Sequence, residues 1–282
     1  MKKLTLNEIH VRTLEIMDFI HNFCEQNNIK YVLGYGTLLG AIRHKGFIPW
    51  DDDFDIQMPR SDFNKFCELF QKEKCGYFKL VCRANDKGYT NGIPRVFDNR
   101  FIYESVGEKK TGVVISNMGI FIDIYPFDNF GNDKACAHRL TKMIKRINFL
   151  YTIYVNKYSV GNVARKIIRS VVHYILRAIY GTHYNEKVDE KIYKIIKKHT
   201  DVSDKFVGQA TWEVGENQFD KSWFSDRLLA PYEDRMYWIP KDYDNILRKS
   251  YGDYMILPPE SQRRSYHGYN IYLKKQIKEI CK

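Results

Sequence analysis

The sequence predicts a mixed α/β (α+β) protein, in which a mixed-sheet core carries a basic helical insertion. Short β-branched and aromatic runs alternate with amphipathic helical patterns before residue 132, a long helical stretch covers 134–200, and strand patterns return after 203. The 282 residues, 44% of them hydrophobic, are enough to form such a core. The expected division is 1–132 for the core, 133–202 for the basic helical segment and 203–282 for a C-terminal part that packs back on the core.

The elements of the core follow from their periodicity. Apolar positions from Leu6 to Cys24 share one helical face, and Asn27-Asn28 ends that helix. The pattern then predicts a strand at 31–33, a turn at 34–37, a short helix at 38–44, a strand closing at Ile56, and a helix to about Glu73 that is capped by Ser61. Further strands are expected at 77–83, 93–98, 101–105 and 120–125.

The rest of the chain is predicted to form helices, followed by a C-terminal part that contains both strands and a helix. The helical stretch 134–200 is expected to break near Gly161. In the tail, residues 235–239 predict a strand, and a helix beginning at 240–242 ends near Gly252, before the Pro-rich loop "YGDYMILPPESQRR".

Positive charge is concentrated in one segment. The net charge is +11, and residues 134–182 contain ten Lys or Arg and no Asp or Glu. Within this segment, "ARKIIRSVVHYILRAIY" combines a broad apolar face with Lys166, Arg169, His173 and Arg177 on the other side. Two interpretations remain open: a helix packed on the core with a solvated back, and a helix lying on an anionic membrane surface. No nucleic-acid-binding motif accompanies the charge, so nucleic acid is not an expected partner.

The sequence predicts a cytoplasmic protein. The six cysteines show no metal-site spacing, which indicates reduced thiols. The N-terminus begins basic but continues with Glu8, Arg12, Glu15 and Asp18 where a signal peptide would be apolar. No run approaches 18 uncharged apolar residues, so no spanning helix is expected.

The stretch "GFIPWDDDFDIQ" carries the strongest chemical signal. If it enters a strand, Asp53 and Asp55 lie on the same face, where two carboxylates repel each other unless a cation lies between them. Mg²⁺ or Mn²⁺ is the usual cation in such a site, with substrate phosphates and waters as further ligands. Asp123, in the middle of the apolar strand "IFIDIY", is the expected third carboxylate. Upstream, Gly36 and the amides of the following helix provide a seat for phosphate.

Three blocks, "YVLGYGTLLGAIRHKGFIPWDDDFDI", "FIDIYPFD" and "YGDYMILPP", resemble the LicD family of the nucleotidyltransferase superfamily, which includes relatives of fukutin. The resemblance implies a nucleotidyltransferase-like core, with Asp53, Asp55 and Asp123 as metal ligands and Asp123 also as the base that aligns the nucleophile. It places Gly36 and Thr37 where the superfamily contacts phosphate. Candidates for holding phosphate oxygens and the leaving nucleotide are Arg43, His44, Lys45 and Arg95, although each is also explained as a surface charge or, for Arg95, as an outward-facing strand residue.

The family further implies transfer of a phospho-alcohol, phosphocholine from CDP-choline in the namesake reaction, to a sugar hydroxyl, with release of CMP. A glycan acceptor on a polyprenyl carrier would place the protein on the inner face of a membrane. A choline headgroup favours an aromatic cage, for which the candidate walls are Trp212, Trp223, Tyr232, Tyr237 and Trp238. Two alternatives remain open: a true nucleotidyltransferase that releases pyrophosphate, and a non-catalytic membrane scaffold.

Overall fold

The structure, a computed structural model, describes residues 2–73, 75–86, 88–105, 118–156, 162–181, 184–211, 218–264 and 269–274. The chain forms two compact units, each assembled from separate stretches. Unit 1 comprises Met1–Leu80, Pro94–Phe127 and Ser222–Lys282, and unit 2 comprises Val81–Ile93 and Asp128–Lys221. The sequence-based division at 132 and 202 stays a prediction about folding domains, whereas these units describe packing.

Unit 1 is mixed α/β, as the sequence predicts. Its helices are α1 (Leu6–Gln26), α2 (Tyr35–Arg43), α3 (Arg60–Lys72) and, in the C-terminal part, α7 (Tyr243–Tyr251). Its strands are β1 (Val32–Leu33), β2 (Asp55–Pro59), β3 (Phe78–Val81), β4 (Arg95–Asp98), β5 (Phe101–Ser105), β6 (Phe121–Asn129), β9 (Arg227–Tyr232), β10 (Arg235–Pro240) and β11 (Tyr269–Leu273). The last residues of β3 and β6 extend into unit 2.

The central sheet has the strand order β1-β2-β6-β4-β3. The β2 and β6 strands run parallel, while β1 and β4 are antiparallel to their neighbours β2 and β6. Two further antiparallel pairs, β9 with β10 and β5 with β11, complete the strands of unit 1.

One face of this sheet forms the core of unit 1. Alternation along the strands turns a fully apolar row to this face, and every member of it is 0% exposed: Ile56, Met58, Val96, Ile122 and Ile124. The helices α1 and α3 lie against the sheet through α1–β4 and α3–β2 contacts. On α1, Ile16, Met17 and Ile20 are equally buried. The opposite face therefore carries the alternate residues, including the acids.

Three predicted boundaries in unit 1 are wrong. The α2 helix begins at Tyr35, so residues 34–37 are not a separate turn, and Gly36 and Thr37 lie in the first helical turn. The β2 strand begins at Asp55, so Asp53 precedes the strand and the alternation argument does not apply to it. Pro59, not Ser61, occupies the N-cap of α3, where its fixed φ leads directly into the helix.

Unit 2 holds the basic segment as three helices, α4 (Lys134–Val155), α5 (Val163–Tyr180) and α6 (Tyr184–His199), followed by the short strand pair β7 (Phe206–Gln209) and β8 (Phe219–Asp220). Its core joins Ile144 and Tyr151 of α4 with Val188 and Ile192 of α6. The predicted break at Gly161 lies outside the described residues. From α5, this core receives Leu176, the single buried residue of that helix, and the partly buried Val172 and Tyr180.

No helix among the described residues is long and apolar enough to cross a membrane. The described cysteines are all free, as expected, but only Cys24 and Cys82 are buried, and the other three are half-buried. Cys281 lies outside the described residues.

Candidate active site

Three charged residues form a row across the central sheet, on the face opposite the core. Strand register places Asp55 of β2 beside Asp123 of β6, and Asp123 beside Arg95 of β4. All three are buried. The row therefore brings together two of the predicted metal ligands and one predicted phosphate contact. The two acids come from strands about 70 positions apart in sequence, and only the parallel β2–β6 pairing makes them neighbours.

Arg95 turns inward and pairs with Asp123. Its Nε donates to Asp123 Oδ1 at 2.5 Å and its Nη2 donates to Oδ2 at 3.3 Å, while its guanidinium lies 3.9 Å from the centre of the Phe121 ring. The outward-facing alternative for this arginine is therefore wrong. In this arrangement Arg95 acts on Asp123, and the positive charge among the buried acids includes a protein side chain.

Asp55 is the least compensated member of the row. Its Oδ1 is buried and has no hydrogen-bond partner among the described residues. Burial raises the pKa of Asp55 well above its usual range, and the nearby carboxylates of Asp53, Asp123 and Asp51 raise it further. A buried carboxylate oxygen without a partner is costly. This oxygen is therefore open to a cation.

The first turn of α2 holds Asp55 in place. Thr37 Oγ1 accepts a hydrogen bond from the Asp55 N–H at 2.8 Å, and both residues are buried. The glycines allow α2 to lie this close. A Cβ on Gly34 would meet Gln57 Cγ at 2.7 Å, and one on Gly36 would meet Asp51 Oδ2 at 2.9 Å. Gly34 thus has a packing role, and the Asp51 carboxylate lies against the N-terminal turn that the sequence assigns to phosphate.

The loop that carries the other acids is braced by α1. His10 lies 2.7 Å, through Nε2, from the carbonyl oxygen of Asp51, and its ring stacks on Phe47 at 3.8 Å. Asp51, Asp52 and Asp53 are half-buried, so they are less desolvated than Asp55. The charges of Asp53 and Asp51 nevertheless lie near enough to raise the pKa of Asp55.

The three basic residues at the C-terminal end of α2, Arg43, His44 and Lys45, have different environments. Arg43 Nη1 donates to the carbonyl oxygens of Tyr254 at 2.8 Å and Ile256 at 3.5 Å, so it ties α2 to the Pro-rich loop. Arg43 Nε donates to His44 Nε2 at 3.0 Å, and burial together with the Arg43 charge lowers the pKa of His44. Lys45 is exposed and adopts a φ of 60°. Of the three, Arg43 is the one whose side chain organises the structure.

The predicted aromatic cage does not form as one enclosure. Tyr232 and Tyr237 are core residues, and the Tyr237 hydroxyl donates to Asp18 at 2.6 Å. The Trp238 ring lies under Arg227 at 4.3 Å, and Trp223 lies 5.8 Å from Lys249 Nζ, so both rings contact protein cations. Trp212 lies outside the described residues. Tyr232 nevertheless lies near the acids of the site: burial is the largest cause of its raised pKa, and the charge of Asp51 is the next largest.

The donor set suits a hard divalent cation that is completed by substrate. Within the described residues no three His, Cys, Asp or Glu side chains are grouped as a ready-made metal cage. Mg²⁺ is commonly bound by only one or two carboxylates, with waters and substrate phosphates as the other ligands. The unpartnered Asp55 Oδ1 beside Asp53 fits that pattern, whereas Asp123 is already paired with Arg95.

Two site residues were missed by the sequence argument. Tyr125 lies two positions after Asp123 on β6 and so shares its face, and burial, together with Asp55 and Asp123, raises the pKa of its hydroxyl well above the usual range. The alternation of strand residues between the two faces of a sheet could have identified Tyr125 from the sequence, because it lies two positions from Asp123. Trp50, directly before the acids, lies 6.1 Å from the His44 ring and 5.8 Å from the Arg263 guanidinium. Its contact with Arg263 links residues over 200 positions apart.

Comparisons with known proteins show which proteins this chain resembles. The family model described as LicD/FKTN/FKRP, nucleotidyltransferase domain, matches residues 28–139, which contain the whole row. The lipopolysaccharide cholinephosphotransferase LicD of Haemophilus influenzae is 28% identical over 281 residues, covering 97% of this chain and 100% of that protein. Residues 28–139 thus match the LicD-family model, and the chain as a whole is similar to a LicD protein.

Two further matches are shorter. An uncharacterized protein of Rickettsia typhi, RT0683, is 39% identical over 152 residues, covering 47% of this chain and 48% of that protein. An uncharacterized protein of Rickettsia prowazekii, RP689, is 44% identical over 71 residues, covering 25% of this chain and 27% of that protein. The recognition of the LicD family from the three sequence blocks is confirmed.

Proposed function

We propose that this chain is a transferase that moves phosphocholine, or a similar phospho-alcohol, from a CDP-linked donor to a sugar hydroxyl of a cell-surface glycan or teichoic-acid precursor. CMP is the leaving group, and CDP-choline is the favoured donor. The observation that carries the proposal is the buried Asp55–Asp123–Arg95 row inside the LicD-family domain. The similarity to a lipopolysaccharide cholinephosphotransferase over the full length of both chains supports the same reaction class.

The proposed cofactor is Mg²⁺ or Mn²⁺. Asp53 and Asp55 would hold it, with Asp123 as the expected third carboxylate. When bound, such an ion neutralises the diphosphate of the donor and stabilises the charge that develops on the departing CMP. This assignment explains why Asp55 Oδ1 is buried without a partner: the oxygen gains its partner only in the loaded enzyme.

Asp123 is the proposed base for the acceptor hydroxyl. The Arg95 fork fixes both of its oxygens in position, so the carboxylate is preorganised beside Asp55. In an in-line displacement, the acceptor oxygen bonds to the phosphorus that carries choline as the bond from that phosphorus to CMP breaks. The hydroxyl proton passes to Asp123. Arg95 therefore acts as a positioning residue.

The remaining residues of the α2 region would bind the donor. Gly36 and the first-turn amides of α2 are proposed to contact phosphate, with Thr37 fixing the Asp55 backbone beneath them. His44 and Lys45 are proposed to bind phosphate or the leaving nucleotide, while Arg43 positions the loop at 254–256.

An acceptor on a polyprenyl carrier would be anchored in a membrane. We therefore propose that the enzyme works as a peripheral protein at the inner, cytoplasmic face of the membrane. The +10 charge of residues 134–182 favours an anionic surface of that kind.

The product mixture tests this reaction. Purified protein, Mg²⁺ and a lipo-oligosaccharide acceptor would be incubated with CDP-choline, and ³¹P NMR would follow CMP and the new phosphodiester. We expect both to appear together, and to be absent with Asp55→Asn. The chain would instead be a nucleotidyltransferase if CTP with the same acceptor gave pyrophosphate. A non-catalytic scaffold would leave CDP-choline, CDP-glycerol, CDP-ribitol and nucleoside triphosphates all unconsumed.

A further inference from the structure

The α5 helix of unit 2 turns its apolar side chains to solvent. Seven large apolar residues on this helix are between 51% and 71% exposed: Val163, Ile167, Ile168, Val171, Tyr174, Ile175 and Ile179. We call these seven residues the α5 apolar face. The one buried residue of α5 is Leu176. A surface helix of a globular protein normally buries its apolar stripe against the core. The α5 helix packs on unit 2 through Leu176, Val172 and Tyr180 instead, and the α5 apolar face stays exposed.

Polar side chains fix this orientation from the other side of the helix. Arg169 donates to the carbonyl oxygens of Thr152 at 2.9 Å and Asn156 at 3.0 Å, and His173 Nδ1 donates to that of Ile153 at 2.9 Å. Residues 152 and 153 belong to the last turn of α4, where the Thr152 carbonyl also accepts from the N–H of the C-cap residue Asn156 at 3.1 Å.

A third contact adds to this anchoring. The Arg177 guanidinium donates to the Tyr154 hydroxyl at 3.3 Å and lies over the Tyr154 ring at 4.4 Å. Rotating α5 to bury its apolar face would break all of these side-chain contacts to the end of α4.

Basic residues border the α5 apolar face. At 3.6 residues per turn, the face covers an arc of about 160°. Arg165 lies beyond one edge of this arc, and Lys166 and Arg177 lie beyond the other, all three of them exposed. The helix contains no acid. An apolar stripe flanked by cations is the pattern of a helix that lies in the plane of a membrane interface.

We propose that α5 is a membrane-docking helix, whose apolar face enters the headgroup–acyl boundary of an anionic bilayer while Arg165 and Lys166 contact lipid phosphates. Charge decides between this occupant and a second copy of the chain. Residues 134–182 carry ten basic and no acidic residues, so a pair of α5 faces would bring two strongly positive segments together. An anionic lipid surface instead complements them. The proposal does not depend on the transferase reaction.

Vesicle flotation of the full chain tests the proposal without donor or acceptor. We expect binding to phosphatidylcholine vesicles that contain phosphatidylglycerol, weak binding to phosphatidylcholine alone, and a loss of binding as salt rises. Ile168→Ser/Ile175→Ser should lower the affinity for the anionic vesicles by about tenfold or more, since two exposed side chains of the face lose their apolar area. The matched control Val11→Ser/Val202→Ser, at exposed apolar positions outside α5, should bind like the wild type.

A charge variant separates local contact from net charge. Arg165→Gln/Lys166→Gln should weaken binding roughly thirtyfold, because each of the two cations near an anionic surface contributes on the order of 1 kcal/mol. Lys30→Gln/Lys241→Gln removes the same charge from exposed positions of unit 1 and should leave binding unchanged.

Three results would overturn the proposal. The wild type could fail to float with anionic vesicles, or the two α5 variants could bind as well as their controls. The chain could also self-associate through Ile168 and Ile175 without binding vesicles, which would assign the face to a second copy. A membrane-bound protein with no transferase activity would overturn the proposed function and leave this inference intact.

Discussion

The two units depart in opposite ways from the usual distribution of apolar residues inside and charges outside. In unit 1, the carboxylates of Asp55 and Asp123 are buried in the central sheet, at 5% and 6% exposure. In unit 2, α5 exposes its apolar face and directs Arg169 and His173 to the end of α4. Each arrangement is unfavourable for the chain alone, since buried charge and exposed apolar surface both cost free energy.

The difference between the two units lies in which partner would relieve that cost. A buried acid with an open oxygen is stabilised by a cation, so unit 1 suits a small, charged ligand. An exposed apolar face with basic edges is stabilised by an amphipathic surface, so unit 2 suits a lipid interface. Substitutions in unit 1 can show whether its buried charges serve the site or only the fold.

The largest expected effect is the loss of activity in Asp55→Asn. An amide in place of this carboxylate removes the proposed metal ligand, and we expect the rate of CMP release to fall by about 10³-fold or more. Asp226→Asn, at an exposed position of unit 1, is the matched control and should retain activity. Equal activity in both variants would separate Asp55 from the chemistry.

Arg95→Met should have the largest effect on folding. The substitution leaves the Asp123 carboxylate buried without its partner, which costs about 3–5 kcal/mol when one member of a buried pair is removed. Urea unfolding of the wild type and of Arg95→Met measures this difference in the free energy of unfolding. Arg95→Met/Asp123→Leu removes both charges and should recover much of the loss; an unchanged loss in the double variant would argue against a direct pair.

Thr37→Val should destabilise unit 1 by about 1–3 kcal/mol, because the buried Asp55 N–H loses its acceptor while the side-chain volume is kept. Thr37→Ser keeps the hydroxyl and is the control, with a smaller loss. Thermal unfolding compares the two variants. If Thr37→Val and Thr37→Ser were equally stable, the hydrogen bond would contribute nothing measurable.

Asp55→Asn should also stabilise the metal-free protein, by about 1 kcal/mol, since it removes a buried charge that faces other acids. The sign of the pH dependence follows from the raised pKa. Because folding favours the protonated acid, the stability contributed by Asp55 is fully present below its usual pKa of 3.8 and is lost as the pH rises through the folded-state pKa. Denaturation in EDTA should therefore show a higher free energy of unfolding for Asp55→Asn than for the wild type at neutral pH, but not near pH 4. A difference in stability that does not change with pH would contradict this explanation.

Arg43→Gln should have the smallest effect. The variant releases the carbonyls of Tyr254 and Ile256 in a loop with exposed neighbours, so we expect little change in stability and a rise in KM of roughly tenfold. Steady-state kinetics with varied donor measures it. Lys249→Gln, also in the C-terminal part of unit 1, serves as the control. A fall in kcat at constant KM would place Arg43 in the chemistry instead.

The sequence predicted the elements of unit 1 more fully than their pairing. Buried acids such as Asp55 and Asp123 stand out locally, because a carboxylate within an apolar strand is rare. The Arg95–Asp123 bond depends on the antiparallel β4–β6 register, which a single sequence does not encode locally. The sequence alone therefore does not determine whether Arg95 faces inward or outward, and it does not predict the hydrogen bonds from Arg43 to residues 254–256.

Contacts between residues distant in sequence also decide the orientation of α5 in unit 2 and the start of α2 in unit 1. The period of 3.6 residues identifies α5 as amphipathic, but which side faces the protein depends on the carbonyls at the end of α4, which Arg169 and His173 satisfy. The α2 start was misplaced because Gly36 was interpreted as a turn residue. Here the close approach of Asp51 requires a glycine inside the helix.

The central claim is that the acids of unit 1 bind a metal together with a CDP-linked donor, and calorimetric titration tests it most directly. CDP-choline would be titrated into the wild type with Mg²⁺ and again with EDTA, and into Asp53→Asn/Asp55→Asn with Mg²⁺. We predict binding in the first experiment alone, with the folded state of the variant verified by its thermal unfolding. Equal binding by the wild type in EDTA, or by the variant with Mg²⁺, would contradict the claim.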